Sequence, residues 1–314
     1  MCILKKLWLI FILGCSPFIT LQAKEIKRIA ISIDDAPSPS TPLFTGMQRT
    51  LAIINHLKRV NAPPVGVFAI GKHVIDFGAA QLVEYGKAGH VIGNHTFAHK
   101  ALKNWTADAY VQDIVKADNL LKNMPGYAPM FRSPFLDEGY PQQTRQVKEA
   151  LDKMGYIKAG VTVNNFDFYM ESILQKALRQ GKFIDFDKLG KVYLQVMLEC
   201  IEFYDGLATL QKKHPINHVL LMHSNDLTAL YIGDLVKALR QKGWKIISFK
   251  NAYKPLPEVL INLPGEESKE EKKVNPATLR NIPKGMSVSY LSELFKQEKV
   301  FVDVAPNQTY TAAK

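Results

Sequence analysis

One feature constrains the fold of this chain more than any other. From residue 28 to residue 249, short apolar runs of strand character alternate with segments of helical period. "RIAISI" (28–33) reads as a buried strand and "MQRTLAIINHLKRV" (47–60) as an amphipathic helix. The series continues with a strand at 65–70, a helix at 79–89, a short strand at 91–92 and a helix at 107–124 that stops before Pro125-Gly126. It closes with a strand at 129–132, a helix at 141–154, strands at 159–163 and 218–222, a helix at 228–243 and a strand at 245–249. Alternation of this kind puts parallel strands under covering helices. About seven units predict an α/β fold whose sheet curls into a barrel, complete or incomplete, rather than lying flat. Residues 169–214 break the rhythm. They are helical almost throughout, where one crossover would suffice, and read as an insertion of two helices broken near "QGKFIDFDKLG".

The ends of the chain differ from its middle. "MCILKKLWLIFILGCSPFITLQAKE" runs from lysines through an apolar stretch to small residues, the order of a signal peptide cleaved after Ala23. Lipidation at Cys15, in "ILGC", is the alternative, and an uncleaved anchor a second one, although the apolar run is short for a span. The expected protein is therefore exported, periplasmic or secreted, with no stable membrane span after cleavage. Its divisions are 1–23, a domain at 24–255 and a charged linker with C-terminal extension at 256–314. Within the extension "SVSYLSELFKQ" predicts a short helix packed back on the domain.

Cleavage removes two lysines and no acids, lowering the net charge from +11 to +9. That balance suits an anionic cell-envelope polymer as partner, while export argues against nucleic acid. Cleavage would also leave Cys200 as the single cysteine, in an apolar helical run where a buried small residue is expected rather than a nucleophile.

Polar residues cluster where strands end. "ISIDD" finishes a strand with Asp34 and Asp35, and "VIGNHTFAH" follows one with His95 and His99. Arg132, Asp167 and His223 follow strands in "MFRSPF", "VTVNNFD" and "LLMHSND". In (β/α) barrels the C-terminal ends of the strands carry the active site. His95 and His99, four apart, are expected one helical turn apart, presenting two imidazoles to one cation. A carboxylate added to them makes a three-ligand site with an open position, the catalytic type for zinc. If strand alternation persists, the two aspartates diverge: one is free to bind metal and the other to act as base, with a later histidine as general acid.

The ordered set Asp34-Asp35, "GNHTFAH", "FRSPF", "NNFD" and "LLMHS" resembles the polysaccharide deacetylase family, whose shared unit is the NodB homology domain of carbohydrate esterase family 4, over about residues 27–249. The resemblance implies a distorted (β/α) barrel and metal-dependent removal of N-acetyl groups from an amino-sugar polymer or oligomer such as peptidoglycan or chitin. It implies Zn2+ as the cation, with Co2+ or Ni2+ as alternatives. Carried over by position, it makes Asp34 the general base, and Asp35, His95 and His99 the metal ligands. Arg132 becomes the arginine that orients the base, and Pro134 a loop residue beside it. The backbone amide of Phe135 becomes an oxyanion donor, His223 the general acid and Asp167 the carboxylate that keeps it protonated.

Three departures touch the groove. Ala36-Pro37 stands where the family has Gly, Phe168 stands where it has Trp, and the 169–214 insertion widens the gap to the last motif. None removes a catalytic atom. Two other readings stay open on the same scaffold: a catalytically silent glycan-binding protein, and an O-acetyl esterase or other C–N hydrolase. The remaining histidines, His56, His73, His90, His214 and His218, read as structural, and Tyr193, Phe203 and Tyr204 as core.

Overall fold

The computed structural model describes residues 26–212, 216–253 and 287–303. The segment read as a signal peptide, Cys15, His214 and the charged linker lie outside the described residues. Among those described, seven strands form one parallel sheet: β1 (Arg28–Ala36), β2 (Gly66–Ala69), β3 (Val91–Asn94), β4 (Tyr127–Phe131), β5 (Ile157–Lys158), β7 (Asn217–His223) and β8 (Lys245–Ile246). Their order is β5-β4-β3-β2-β1-β7, with β8 paired to the start of β1. The stretch after β5 curls this sheet into a distorted barrel. The N–H of Ala159 bonds to Phe131 of β4, and Val163 bridges to Leu220 of β7. The strand expected at 159–163 is thus reduced to β5 and one bridge. Gly160 lies in a tight turn, its N–H bonded to Lys158, and breaks the ladder.

Period-two alternation decides what faces inward. Ile29, Ile31 and Ile33 of β1, Val67 and Ala69 of β2, and Leu220 and Met222 of β7 belong to the large core shared with the helices. The residues between them, Ala30, Phe68, Val91, Met130 and Val219, form a smaller cluster within the barrel, joined by Phe249 and Tyr253. The same inward register, continued to the strand ends, reaches Asp34, His95, Arg132 and His223. Space inside is tight. A Cβ on Gly93 would lie 2.6 Å from the Phe68 ring, so only glycine fits there.

Helices cover the outside. α1 (Gly46–Arg59) starts with a capping box, in which the Gln48 N–H bonds to Thr45 Oγ1 and the Thr45 N–H bonds to Gln48 Oε1. α2 (Gly71–Phe77), α3 (Ala80–Lys87), α4 (Ala107–Leu121) and α5 (Pro141–Lys153) follow, with α2 an element the sequence pattern did not predict.

The insertion consists of α6 (Asp167–Arg179), a short β6 (Phe183–Ile184) and the 27-residue α7 (Phe186–Lys212). Leu189, Val192, Tyr193, Val196, Met197, Cys200 and Tyr204 follow helical spacing on α7 and are buried, so Cys200 and both tyrosines are core. α7 packs on α8 (Asp226–Gln241). The short α9 (Phe249–Ala252) follows β8. Among the described residues no helix is long and apolar enough to cross a membrane. The helix expected in the extension is α10 (Val288–Gln297), which buries Leu291, Leu294 and Phe295. β9 (Phe301–Val302) then pairs antiparallel with β6, and Ser292 meets the Tyr169 hydroxyl of α6 at 2.8 Å.

Candidate active site

Asp34 ends β1 almost fully buried, directly opposite His223 in the β1–β7 register. Its Oδ1 accepts from Arg132 Nη1 at 2.8 Å. That guanidinium is fixed on other sides: Nη1 also donates to Ser32 Oγ, Nε donates to the Ala159 carbonyl, and the plane lies 4.1 Å over the Phe68 ring. A bidentate grip is absent, so Asp34 Oδ2 is left facing the site, 3.8 Å from His95 Nε2.

The aspartates do not diverge as strand alternation predicts. The register between β1 and β2 slips between Ile33 and Ala36, and Asp35 adopts φ 65°. That left-handed residue swings its carboxylate to the same cavity, where Oδ1 lies 3.5 Å from His95 Nε2 and 3.1 Å from His99 Nε2. Burial would raise the Asp35 pKa, but the His99 contact and the charges of His223, His95 and His99 hold it below the usual carboxylate range.

His95 and His99 converge, but not on a helix. Thr96 and His99 have φ of 64° and 51°, and the segment is a loop tied down by side chains. Asn94 Oδ1 accepts the Thr96 N–H, and Asp113 Oδ2 accepts those of Phe97 and Ala98, all within 2.8–2.9 Å. Side-chain acceptors take the amides that a helix would use, so the four-residue spacing brings the rings together by a loop instead. His95 Nδ1 donates to the Arg132 carbonyl at 2.8 Å, which leaves Nε2 as the free acceptor, and burial lowers its pKa toward the neutral ring.

The donor set fits a divalent cation. One ligand atom each from Asp35, His95 and His99 lies within 4.8 Å of the other two. A tetrahedral ion with bonds of about 2.0–2.1 Å spaces its ligands about 3.3 Å apart, close to the oxygen–nitrogen separations found here.

Across the cavity, Asp167 is the first residue of α6, with its N–H bonded to Asn165 Oδ1. Its Oδ1 meets His223 Nδ1 at 2.7 Å and its Oδ2 takes the His223 N–H at 2.8 Å. Burial alone would lower the His223 pKa, but the charge and hydrogen bond of Asp167, with Asp35 and Asp34 beyond, push it up to about 10. The imidazolium is therefore the resting form at neutral pH.

The cavity between these groups has a volume of about 660 Å3. Phe135, 63% exposed with φ 60°, covers the His99 ring at 4.6 Å, and Pro134 beside it is buried. Phe168, half exposed, lies edge-on to His223 at 5.9 Å. Asp34, Asp35, His95, His99, Phe135 and His223 line this cavity, and Arg132 and Asp167 are bonded to Asp34 and His223 behind it.

Three contributors were missed. His73, read as structural, lines the cavity with Nδ1 on the Pro37 carbonyl; it follows the end of β2, so the strand-end rule could have found it. Asn165 joins Asp167 to the Leu221 carbonyl of β7. Glu171 lines the cavity one turn after Asp167, a spacing visible in the sequence once α6 is known.

The polysaccharide deacetylase family profile matches residues 22–157, a span that holds Asp34, Asp35, His95, His99, Arg132, Pro134 and Phe135 but ends before Asp167 and His223. A peptidoglycan-N-acetylglucosamine deacetylase of Bacillus cereus is 30% identical over 123 residues, 39% of this chain and 41% of that protein. Chitin deacetylase 1 of Cryptococcus neoformans var. grubii is 32% identical over 126 residues, 40% of this chain and 24% of that protein. The chain thus spans less than half the length of these curated relatives. Among solved structures, the Bc1960 peptidoglycan N-acetylglucosamine deacetylase superposes with a TM-score of 0.49 at 21% identity, covering 72% of this chain and 87% of that one. The similarity to the polysaccharide deacetylase family is thus carried by residues 22–157 of this chain.

Proposed function

We propose that the protein is an exported, metal-dependent hydrolase that removes N-acetyl groups from an amino-sugar polymer or oligomer, with peptidoglycan and chitin-like glycans as the substrate class. The observation that carries the reading is the convergence on one cavity of the Asp35–His95–His99 donor set, the Arg132-held Asp34 and the Asp167–His223 pair. The names of the two curated relatives support the substrate class.

Asp35, His95 and His99 would hold the divalent ion, Zn2+ before Co2+ or Ni2+, which when bound supplies polarisation of the acetyl carbonyl and acidification of water. Asp34 takes the proton of the attacking water on Oδ2, because Arg132 occupies Oδ1. The backbone N–H of Phe135, presented by a left-handed turn, donates to the oxygen that gains charge. His223, already protonated, gives its proton to the departing amine, and Asp167 stabilises the cation beforehand. Phe135 and Phe168 offer aromatic faces to the sugar at the cavity mouth.

We assign the catalytic domain to residues 24–255, interrupted by the 169–214 insertion, and treat 256–314 as linker and extension. Export rests on the basic-then-apolar order of residues 1–23 and a site outside the cell on the net positive charge. The test is acetate release by zinc-loaded protein from defined peptidoglycan, chito-oligomers and acetylated xylan, with and without chelator. Release from the N-acetylated substrates that chelator abolishes is expected. Release from xylan alone would move the assignment to an O-acetyl esterase, and no release from any glycan would overturn it.

A further inference from the structure

Glu171 lies on the cavity wall contributed by the insertion, and the mechanism above does not use it. In α6 it follows Asp167 by four residues, so the two carboxylates share one helix face about 6 Å apart along the axis. Asp167 is spent on His223, while Glu171 is held by three neutral donors: Oε1 accepts from Gln175 Nε2 at 2.7 Å, Oε2 accepts the Leu227 N–H at 3.1 Å, and the Asp226 N–H also donates to the carboxylate. A carboxylate has about four acceptor positions, which leaves room for one more bond on a residue that faces the cavity.

Its surroundings favour a partner from outside. Asp226, fully buried, lies next to it, and Gln175 Nε2 bridges the two carboxylates. The nearby cation, Arg49, is bound to Asp226 at 2.7 Å. Burial first, and then the Asp226 charge, raise Glu171 to about 7, so ionising it carries a cost that a bound donor would offset. An N-terminal bond to α8 alone would be served as well by a neutral glutamine, without that cost.

We propose that Glu171 is a substrate-recognition residue, whose carboxylate accepts a hydrogen bond from a hydroxyl or ammonium group of the sugar bound in this cavity. The inference rests on the glycan reading of the site and adds a selectivity element that the insertion alone supplies. Substrates with a polar donor at this wall are favoured over those that present only an acetyl group.

Glu171→Gln and Glu171→Ala test it, with glutamine keeping an acceptor for the Leu227 N–H. Turnover would be measured on fully acetylated chitotetraose, on a tetramer bearing free amines, and on 4-nitrophenyl acetate, which carries the acyl group without a sugar. The expected result is a loss of about tenfold or more in kcat/KM on the tetramers, mostly in KM, with 4-nitrophenyl acetate within twofold of the parent. Equal loss on both tetramers identifies a hydroxyl donor, and loss confined to the amine-bearing one an ammonium. Parallel loss on the ester and the sugars would make Glu171 only a structural tie and overturn the proposal, as would unchanged sugar kinetics. If the parent protein hydrolyses none of the three, the deacetylase reading fails separately, and calorimetric binding of the tetramers decides. Binding by the parent that weakens about tenfold in Glu171→Gln supports recognition; equal affinity, or no binding at all, refutes it.

Discussion

The two sides of the cavity are built by opposite means. The Asp35–His95–His99 side depends on irregular backbone: a strand slip, and left-handed residues at 35, 96 and 99. The Asp167–His223 side uses regular elements, the first turn of α6 and the end of β7, joined by two hydrogen bonds that one carboxylate accepts. One side gathers a carboxylate and two imidazoles that suit a cation from outside, whereas the other has already matched charge with charge. On the proposed reading a metal would complete the first side, while the second already pairs its own groups. Polypeptide supplies a pre-charged acid from ordinary helix and strand, but positioning three ligands around an ion takes strained turns.

The sharpest way to break this contrast is at Asp34, which lies between the two sides. Asp34→Asn should lower acetate release by about a thousandfold or more while metal content, read by atomic absorption, stays at the parent level. Loss of metal along with activity would show that Asp34 is a ligand and not a base. His99→Ala should instead lose the metal, with turnover falling in proportion to the occupancy that remains.

Next comes Asp167→Asn, which should leave metal content unchanged and cut turnover by about a hundredfold. Its signature lies in pH. His223 is raised above its ordinary value of about 6.5, so the protonated acid and the stability it brings are complete below that pH. Both are lost as pH climbs through about 10. In the variant the alkaline limb of kcat/KM should move down toward the ordinary histidine range, and an unmoved limb would assign it to another group.

A smaller effect is expected at Asp113. Replacing it with Ala removes the acceptor for two loop amides, lowers stability by about 1–3 kcal/mol and weakens metal binding about tenfold, without a shift in the pH profile. Deleting residues 287–314 should do the converse. It strips α10 and β9 from α6 and β6, lowers turnover several-fold and leaves metal affinity as it was. The mildest change is Phe168→Trp, which should alter KM by a few-fold at most.

The sequence exposed the barrel because the alternation of apolar runs and helical periods is a consequence of parallel strands buried under helices. It exposed the site residues because the inward register carries the same strands on into polar side chains. What it concealed was how the backbone turns at their ends. Four-residue spacing in "HTFAH" suggested a helix, and nothing local to it announces that Asn94 and Asp113 take its amides; Asp113 is fourteen residues from His99 and on another element. Asp35 escaped the alternation argument in the same way, through a slip that only pairing with β2 reveals. Glu171 was hidden because the face of α6 was unknown, whereas His73, just past the end of β2, was open to the strand-end rule. Long-range partners decide such details, and a pattern of neighbours does not record them.

The turn at 157–163 has a consequence for how such an enzyme is kept in calibration. It begins where the family match ends, and both sides of the cavity are anchored to it. Ala159 offers its carbonyl to Arg132, Gly160 offers its own to the Tyr253 hydroxyl, and Val163 is bonded to the strand that ends in His223. Seven residues of unremarkable chemistry thus act as a gauge block between the guanidinium that holds Asp34 and the strand that ends in His223. Lengthening that block by one residue would touch no catalytic side chain, yet it would put the two halves of the reaction out of step.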